Sequence, residues 1–225
     1  MKISTQTLQV LKNYASINPN LLVKPGNVLS TISTNKNIFA KASVTESFPA
    51  SFAIYDMQQF LGVVSIFEDP DFTFNDHSVT IASGNRSVEY VFTAPEMIVA
   101  PSDSVAQKIA VNQPEITFDL SAQTLNEVIK ATSILQLDKI NVVSDNGSVS
   151  VVVADPKNPS SNKFSVTVGG TASMDLSMVF ASESLKFIQG DYKVNISSSG
   201  IGSFKNEKLN IEYFVMADVK SKKKA

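Results

Sequence analysis

The residue types that most often carry out chemistry are scarce and scattered in this sequence. His77 is the only histidine and there is no cysteine. A zinc site would therefore lack enough ligands, and no side chain could serve as a thiolate nucleophile. Residues 68–71 (EDPD) are acidic, but they lack the spacing and the glycine of an EF-hand calcium loop. The glycines at 169–170 belong to no phosphate-binding motif. The sequence therefore predicts no catalytic residue, no metal and no cofactor.

The composition is that of an ordinary folded protein. Of the 225 residues, 43% are hydrophobic and 18% are charged, which is enough apolar material for a core. The length fits one large domain or two of about 110 residues. The formal net charge of −2 does not indicate nucleic acid, so any such indication must come from where the charges lie. No apolar run reaches the ~18–20 residues of a membrane span, and we expect no membrane partner.

A segment near the N-terminus is repeated about half a chain length later. Residues 5–17 (TQTLQVLKNYASI) and 122–134 (AQTLNEVIKATSI) align at an offset of 117 positions. Each segment has apolar residues at helical spacing, which predicts an amphipathic helix. The predicted buried stripes are Ile3, Leu8, Leu11 and Ala15 in the first helix, and Leu125, Val128, Ile129 and Thr132 in the second.

The segments that follow these helices also correspond. Turn signals predict hairpins over 21–33, at Pro25-Gly26, and over 140–153, at Asn146-Gly147. A second helix is predicted within 54–67, and a shorter one within 175–192 that ends at Gly190. The predicted buried face of the 54–67 helix is Met57, Phe60, Leu61 and Val64. Further strands are predicted at 72–82, 87–94, 192–197, 201–204 and 209–218.

Each half of the chain therefore contains a helix, strands, a helix and strands. This order predicts an α+β fold with two similar domains, at 1–105 and 106–225, and with the helices on one face of antiparallel sheets. The join is predicted at about 94–115, a stretch with three prolines and no clear period.

Lysines and side-chain amides occupy the outward faces of the predicted helices. The lysines are Lys2, Lys12, Lys130 and Lys186, and the amides between them include Gln6, Gln9, Gln123 and Asn126. The acids there are Glu127 and Glu183, and the 54–67 helix offers Gln58 and Gln59 without a cation. Such faces fit a surface for a polyanion, and they equally fit ordinary solvated helix faces.

Dispersed similarity over nearly the whole chain connects it to a known family. The segments MKISTQTLQVLKNYASIN, IYDMQQFLGVVSIF, FIQGDYKVNISSSGIGSF and IEYFVMAD resemble, in this order, the sliding clamps of T-even-type bacteriophages. The resemblance implies a non-catalytic DNA polymerase processivity factor in the host bacterial cytoplasm. It implies a closed homotrimeric ring, with sheets outside and helices lining a hole that holds duplex DNA. It also implies an ATP-hydrolysing clamp loader as a partner and, in related phages, a role in late transcription.

The resemblance also suggests roles for individual residues. The best DNA-facing candidates are Lys2, Lys12 and Lys130 with Gln6, Gln9, Gln123 and Asn126, followed by Lys186, Lys139 and Lys205. Partners of this family dock a short hydrophobic tail near the domain join. Met97, Ile98 and Val99 are therefore candidates for the pocket walls, and burial against their own domain is the alternative. The basic tail with Lys220, Lys222, Lys223 and Lys224 could touch DNA or be a solvated end.

Two other functional classes stay open at this point. A virion component built from duplicated α+β domains would use the same lysines only to remain soluble. An enzyme based on Asp69 and Asp71 would need a convergent cluster of acids, which the sequence does not display.

Overall fold

The computed structural model describes residues 1–158 and 160–218 and divides the chain into two compact units. The first unit comprises Met1–Lys108 together with Leu209–Ile211, and the second comprises Ile109–Lys208 and the residues from Glu212 onward. The basic tail with Lys220, Lys222, Lys223 and Lys224 lies outside the described residues.

The first unit contains three helices and seven strands. The helices are α1 (Thr5–Ile17), α2 (Met57–Val64) and α3 (Asp103–Lys108). The strands are β1 (Leu21–Val23), β2 (Gly26–Ile32), β3 (Ile38–Phe48), β4 (Phe52–Ile54), β5 (Asp71–Phe74), β6 (Ser78–Ser83) and β7 (Arg86–Val91). All pairing is antiparallel: β1 with β4, β2 with β3, and β5, β6 and β7 in that order.

The first helix forms as predicted, but it turns a different stripe toward the core. Ser4 caps α1 by accepting a hydrogen bond from the Thr7 backbone N–H at 3.2 Å. The Tyr14 hydroxyl donates to the Leu29 carbonyl at 3.1 Å and is fully buried. Because Tyr14 and Val10 occupy the core, the predicted Leu8 and Ala15 are only half-buried. The buried residues are Thr7, Val10, Leu11, Tyr14 and Ile17.

The prediction for α2 is confirmed, whereas the first predicted hairpin is wrong. Asp56 caps α2 by accepting from the Gln59 N–H at 2.9 Å, and its buried residues are the four predicted. The predicted hairpin over 21–33 separates into β1 and β2, which belong to different pairs. Pro25-Gly26 does redirect the chain, but the partner of each strand is set by tertiary packing. Within the predicted join, the structure contains α3 and a 3-10 turn at Pro95–Met97.

The described residues of the second unit form one long helix and nine strands. The helix is α4 (Ala122–Leu135). The strands are β8 (Ile116–Leu120), β9 (Lys139–Asp145), β10 (Ser148–Val153), β11 (Phe164–Thr167), β12 (Thr171–Ala172), β13 (Leu176–Ala181), β14 (Tyr192–Ser197), β15 (Ile201–Asn206) and β16 (Ile211–Met216). One sheet has the order β11, β10, β9, β13, and the other runs β12, β8, β14, β15, β16.

The second unit confirms one sequence prediction and overturns another. The hairpin of β9 and β10 turns at Asn146-Gly147, where both residues have positive φ as a type I′ turn requires. The predicted helix within 175–192 is wrong, because its apolar run forms β13, with Met178 opposite Val142 of β9. Only a 3-10 turn at Ser182–Ser184 remains helical there.

Candidate nucleic-acid interface

The exposed face of α1 carries one cation with amides beside it. Lys12 and Gln9 are exposed, and Lys12 makes no ion pair within residues 1–158 and 160–218. The Gln6 side chain is half-buried, and its amide donates to the Leu209 carbonyl at 3.2 Å. Ser16 follows Lys12 by one helical turn and is also exposed. Ser16 is therefore a further candidate for the exposed face. The sequence analysis did not name it, although its helical spacing from Lys12 indicates it.

The exposed face of α4 has a similar composition. Gln123, Asn126 and Lys130 are exposed, and Lys130 too has no ion pair in the described part of the chain. Glu127 lies on the same face and accepts a hydrogen bond from the Gln123 side-chain amide at 2.8 Å. This face can therefore offer one cation and several neutral donors to a polyanion, with one acid partly engaged by its neighbour.

The lysines of the two helices occupy like positions, although they are not aligned by the sequence repeat. Lys12 is eight residues after its cap Ser4, and Lys130 is nine residues after its cap Ser121. One residue turns a side chain by about 100° around a helix. The buried stripe of α4 is displaced by one residue in the same direction. The buried Val10 and Tyr14 of α1 thus correspond to the buried Val128 and Thr132 of α4. Each lysine therefore lies opposite the buried stripe of its own helix.

Lys2 differs from Lys12 in being paired with two acids. Its ammonium is 3.1 Å from Asp69 Oδ2 and 3.4 Å from Asp71 Oδ2. Asp71 and the buried Phe72 are consecutive on β5, so their side chains point to opposite faces of the sheet. Phe72 lines a groove of about 280 Å3 with Leu8 of α1. Asp71 therefore points to the side of β5 opposite Phe72, but Asp69, the other partner of Lys2, lines the same groove as Lys12 of α1. The hydrogen bond to Asp69 is the main cause that raises the pKa of Lys2.

Lys205 is separated from the exposed face of α4. Phe204 and Leu125 of α4 line the same small internal cavity. Because neighbouring strand residues alternate between faces, Lys205 points away from that core. Its ammonium is 3.9 Å from Glu207 Oε1.

Lys139 and Lys186 are placed by strands and loops, not by a helix. Lys139 begins β9, is half-buried, and its ammonium lies 3.5 Å from Asp138 Oδ2 and 3.6 Å from Asp218 Oδ2. Lys186 is exposed, but it follows the 3-10 turn, and so its assignment to a short last helix is wrong. The same segment reaches the start of α4, where the Gln189 amide donates to the Ala122 carbonyl at 2.8 Å.

The segment 97–99 is anchored through its backbone and exposes apolar side chains. Met97 is 65% exposed and Val99 is 38% exposed, while Ile98 is half-buried. Burial against their own domain, the alternative considered above, thus does not describe Met97 or Val99. The Val99 carbonyl accepts from the Asn18 side-chain amide at 2.8 Å.

The described residues contain no group of three or more histidine and acidic side chains that could hold a metal ion. Among them, no helix has both the length and the apolar character needed to cross a membrane.

The fold of the units is that of the DNA sliding clamps. One solved structure with this fold is the DNA polymerase III subunit beta from Borrelia burgdorferi, with a TM-score of 0.71 and 11% sequence identity. The match covers 98% of this chain and 64% of that chain. At this identity the similarity shows the fold alone, and the chain spans about two thirds of that bacterial subunit.

Sequence comparisons identify the family. The family described as "DNA polymerase processivity factor" matches residues 3–94, and "gp45 sliding clamp, C terminal" matches residues 117–219. The sliding clamp of Vibrio phage KVP40 is 29% identical over 97% of this chain and 99% of the relative. The sliding clamp of Enterobacteria phage T4 is 25% identical over 97% of this chain and 98% of the relative. The chain belongs to the family of T4-type phage sliding clamps, which are processivity factors and not enzymes. The alternative of a virion component has no support among these matches.

Proposed function

We propose that copies of this chain close into a homotrimeric ring around duplex DNA and tether the replicative DNA polymerase to it. The observation that carries this proposal is the like placement of Lys12 and Lys130, each opposite the buried stripe of its own helix. With two such helices in every chain, a ring of three copies presents the same exposed face six times. We confine the proposed DNA-facing set to α1 and α4.

The chemistry of these faces suits contact without sequence readout. Lysines neutralise phosphates at any sequence, whereas specific recognition needs hydrogen bonds to base edges. One unpaired lysine per helix, with neutral amides beside it, gives a shallow electrostatic attraction along the duplex. Glu127 weakens that attraction further. Retention on DNA then comes from encirclement, and low affinity permits sliding.

The edges that close the ring are proposed to be β7 and β11. Within the described residues, each strand pairs on one side only, β7 with β6 and β11 with β10. An unpaired edge offers backbone groups to a strand of another chain. Arg86 and Glu89 are exposed on β7, while Lys157 and Lys163 are exposed beside β11, so we propose that Glu89 of one copy meets a lysine beside β11 of the next. Val91, which is 69% exposed, adds apolar area at the β7 edge.

The remaining partners are proposed from what the resemblance to phage sliding clamps implies. We propose that hydrophobic tails of the polymerase dock on Met97, Ile98 and Val99, within a domain join at about 94–115 and near a boundary at 105. An ATP-hydrolysing clamp loader would open the ring, and late-transcription factors would use the loaded clamp. All of these contacts would occur in the cytoplasm of the bacterial host.

Charge reversal on the helices tests the DNA interface. Lys12→Glu with Lys130→Glu places acids where phosphates are proposed to pass. We expect at least a tenfold loss of loader-dependent processive synthesis by the cognate polymerase, with the oligomeric mass unchanged. Lys193→Glu with Lys205→Glu is the matched control, because it makes the same charge change on neighbouring exposed residues of β14 and β15, and we expect it to be near wild type. Equal losses in both double variants would contradict the assignment of the interface to α1 and α4.

Light scattering tests the ring. The expected mass is that of three 24.3 kDa chains, and a stable monomer at high concentration would contradict the trimer. Val91→Lys should shift the equilibrium toward monomers. Ile66→Lys replaces another exposed apolar residue of the same unit, 59% exposed and outside β7, and should leave the mass unchanged.

A further inference from the structure

Two asparagines form a hydrogen-bonded hub where α1 ends. Asn18 is the residue after the last turn, is 1% exposed, and uses its whole side chain. Its amide nitrogen donates to the Ile32 carbonyl of β2 and to the Val99 carbonyl, both at 2.8 Å. Its amide oxygen accepts from the Asn20 backbone N–H at 2.8 Å. A buried amide with every group satisfied fixes its neighbours in one arrangement.

Asn20 completes the hub from the other side. Its side-chain oxygen accepts from the Val99 backbone N–H at 3.2 Å, and its nitrogen donates to the Tyr55 carbonyl at 2.5 Å. Both backbone groups of Val99 are therefore bound by asparagine side chains. Between the asparagines, the Pro19 carbonyl accepts from the Met57 N–H at 2.8 Å, which adds the first residue of α2.

The equivalent place in the second unit is built differently. α4 ends at Gln136 with a left-handed φ of 55°, and the last turn is closed by backbone bonds. The N–H of Leu137 donates to the Thr132 carbonyl at 3.0 Å, which is a common way to end a helix. The repeated fold therefore does not need an asparagine hub. The hub of the first unit holds something that is specific to that unit, the segment that contains Val99.

We propose that Asn18 and Asn20 are positioning residues that hold Met97–Val99 in the conformation a hydrophobic peptide tail recognises. The inference rests on the proposed role of this segment as the docking site. Met97 and Val99 expose apolar side chains to water, and ordering them only upon binding would cost conformational entropy. The hydrogen bonds from the two asparagines already restrict the segment in the folded chain, so the segment is ordered before its partner binds.

Substitutions at Asn20 test the inference because it is more accessible than Asn18. The probe is a synthetic peptide with the C-terminal sequence of the cognate polymerase, and its affinity is measured by calorimetry on the full-length protein. Asn20→Ala removes both bonds and should weaken binding about five- to tenfold. Asn20→Asp keeps an oxygen that accepts from Val99 but replaces the donor to the Tyr55 carbonyl by a second acceptor, so we expect a smaller loss of affinity than in Asn20→Ala. Asn27→Ala replaces an exposed asparagine of β2 and serves as the matched control.

The readouts separate positioning from mere stability. Hydrogen exchange at the Val99 amide should quicken in Asn20→Ala and stay slow in Asn20→Asp. If Asn20→Ala lowers the melting temperature but leaves peptide affinity unchanged, the positioning role is refuted. If Asn20→Ala does not fold, Asn20→Gln displaces both groups by one methylene, and the same loss of affinity is expected.

Met97→Ala distinguishes this inference from the proposal on which it rests. Loss of binding in Met97→Ala with full binding in Asn20→Ala would overturn the hub alone. Full binding in Met97→Ala and in Val99→Ala would show that the tail docks elsewhere, and the proposed docking site would then be wrong.

Discussion

Both units place a carboxylate at the start of their first helix, but they take it from different parts of the fold. In the first unit, Glu46 of β3 accepts hydrogen bonds from the Ser4 N–H and the Thr7 hydroxyl. In the second, Asp191 Oδ1 accepts from the Ala122 N–H at 2.9 Å. An acid there complements the positive end of the helix dipole. Each unit therefore has an acid at the start of its first helix, but the two acids do not come from equivalent positions of the fold.

The sheet surfaces of the two units differ in a second, instructive way. In the first unit, Met1 and Phe72 exchange backbone hydrogen bonds of 2.6 and 2.8 Å. The corresponding pair in the second unit is Phe118 of β8 with Val194 of β14. The next pair is Lys2 with Asp71 in the first unit, but Asp119 with Lys193 in the second. The acid and the lysine have therefore exchanged positions between the two units, while the backbone pairing is the same. On the helices, in contrast, both lysines keep their place opposite the core, as the proposed DNA-facing role requires.

The largest expected effect tests a close backbone approach that distinguishes two glycines. A Cβ on Gly170 would lie 2.3 Å from the Thr117 carbonyl oxygen and 2.6 Å from Phe118 Cβ, at a φ of +105°. Gly170→Ala should lower the free energy of unfolding by about 3–5 kcal/mol. Gly84→Ala in the first unit has a φ of +61° and open space, and should cost about 1–2 kcal/mol. Denaturant unfolding measures both, and equal losses would contradict the close approach.

Parts of this fold follow from local sequence, and other parts depend on distant partners. The α2 face was predictable because Met57, Phe60, Leu61 and Val64 fit only one helical stripe. The run that became β13 was misassigned because a short apolar segment suits a strand or a helix equally. Only its partner β9, more than thirty residues away, decides between them. The hairpin over 21–33 failed for the same reason, since a turn signal does not specify which strands pair.

The dipeptide Glu-Tyr occurs in the last strand of both units, as Glu89-Tyr90 in β7 and as Glu212-Tyr213 in β16, and the two tyrosines differ in burial. The Tyr213 hydroxyl accepts from the buried Ile188 N–H at 3.2 Å, whereas the Tyr90 hydroxyl donates to the exposed Asp56 carbonyl at 3.2 Å. Burial raises the pKa of both hydroxyls, so both stay protonated. Tyr213→Phe leaves a buried donor unpaired and should cost about 2 kcal/mol. Tyr90→Phe should cost about 0.5 kcal/mol, because water can replace the hydroxyl. Thermal unfolding of the two variants shows which substitution costs more stability. A larger loss in Tyr90→Phe than in Tyr213→Phe would contradict this difference in burial.

For the candidate interface, the sequence predicted exposure better than placement. Helical periodicity was sufficient to turn Lys12 and Lys130 outward. Lys205 is also exposed, yet strand alternation places it on a sheet face, and Lys2 is paired with Asp69 and Asp71. The ion pairs of Lys2 could not be predicted before its pairing with β5 was known. The asparagine hub gave no local signal at all, since Asn18 and Val99 are eighty-one residues apart.

The two helix starts also predict a pH dependence. Burial would raise the pKa of Glu46, but the bonds from Thr7 and Ser4 outweigh it and lower the pKa to about 2 from 4.5. Its contribution is therefore complete above pH 4.5 and is lost as the pH falls from there toward 2. Glu46→Gln should cost about 1 kcal/mol at neutral pH, since the side chain is half exposed and screened.

Unfolding measured from pH 7 to pH 2 should show the curves of the wild type and Glu46→Gln converging below pH 4.5. The Ala122 N–H lowers the pKa of the exposed Asp191 in the same way. Asp191→Asn should show a smaller difference that also disappears in acid. Parallel curves for Glu46→Gln across this range would mean that its carboxylate does not stabilise α1.

The smallest expected effect comes from exchanging the charges on the sheet faces. Lys2→Asp would gather three acids with Asp69 and Asp71, and Asp119→Lys would place three lysines in a row with Lys193 and Lys205. Each single change should lower the melting temperature slightly at low salt, because like charges then face each other, and the difference should vanish at high salt.

The exchanged pairs Lys2→Asp with Asp71→Lys, and Asp119→Lys with Lys193→Asp, should restore the melting temperature to within about 1 °C. Both exchanged variants should also support processive synthesis as the wild type does, since neither touches the exposed faces of α1 and α4. If the exchange at Lys2 impaired synthesis as strongly as Lys12→Glu with Lys130→Glu, the sheet face would share in DNA contact. The proposed separation between the two surfaces, and with it the proposal that rests on the like placement of Lys12 and Lys130, would then have to be abandoned.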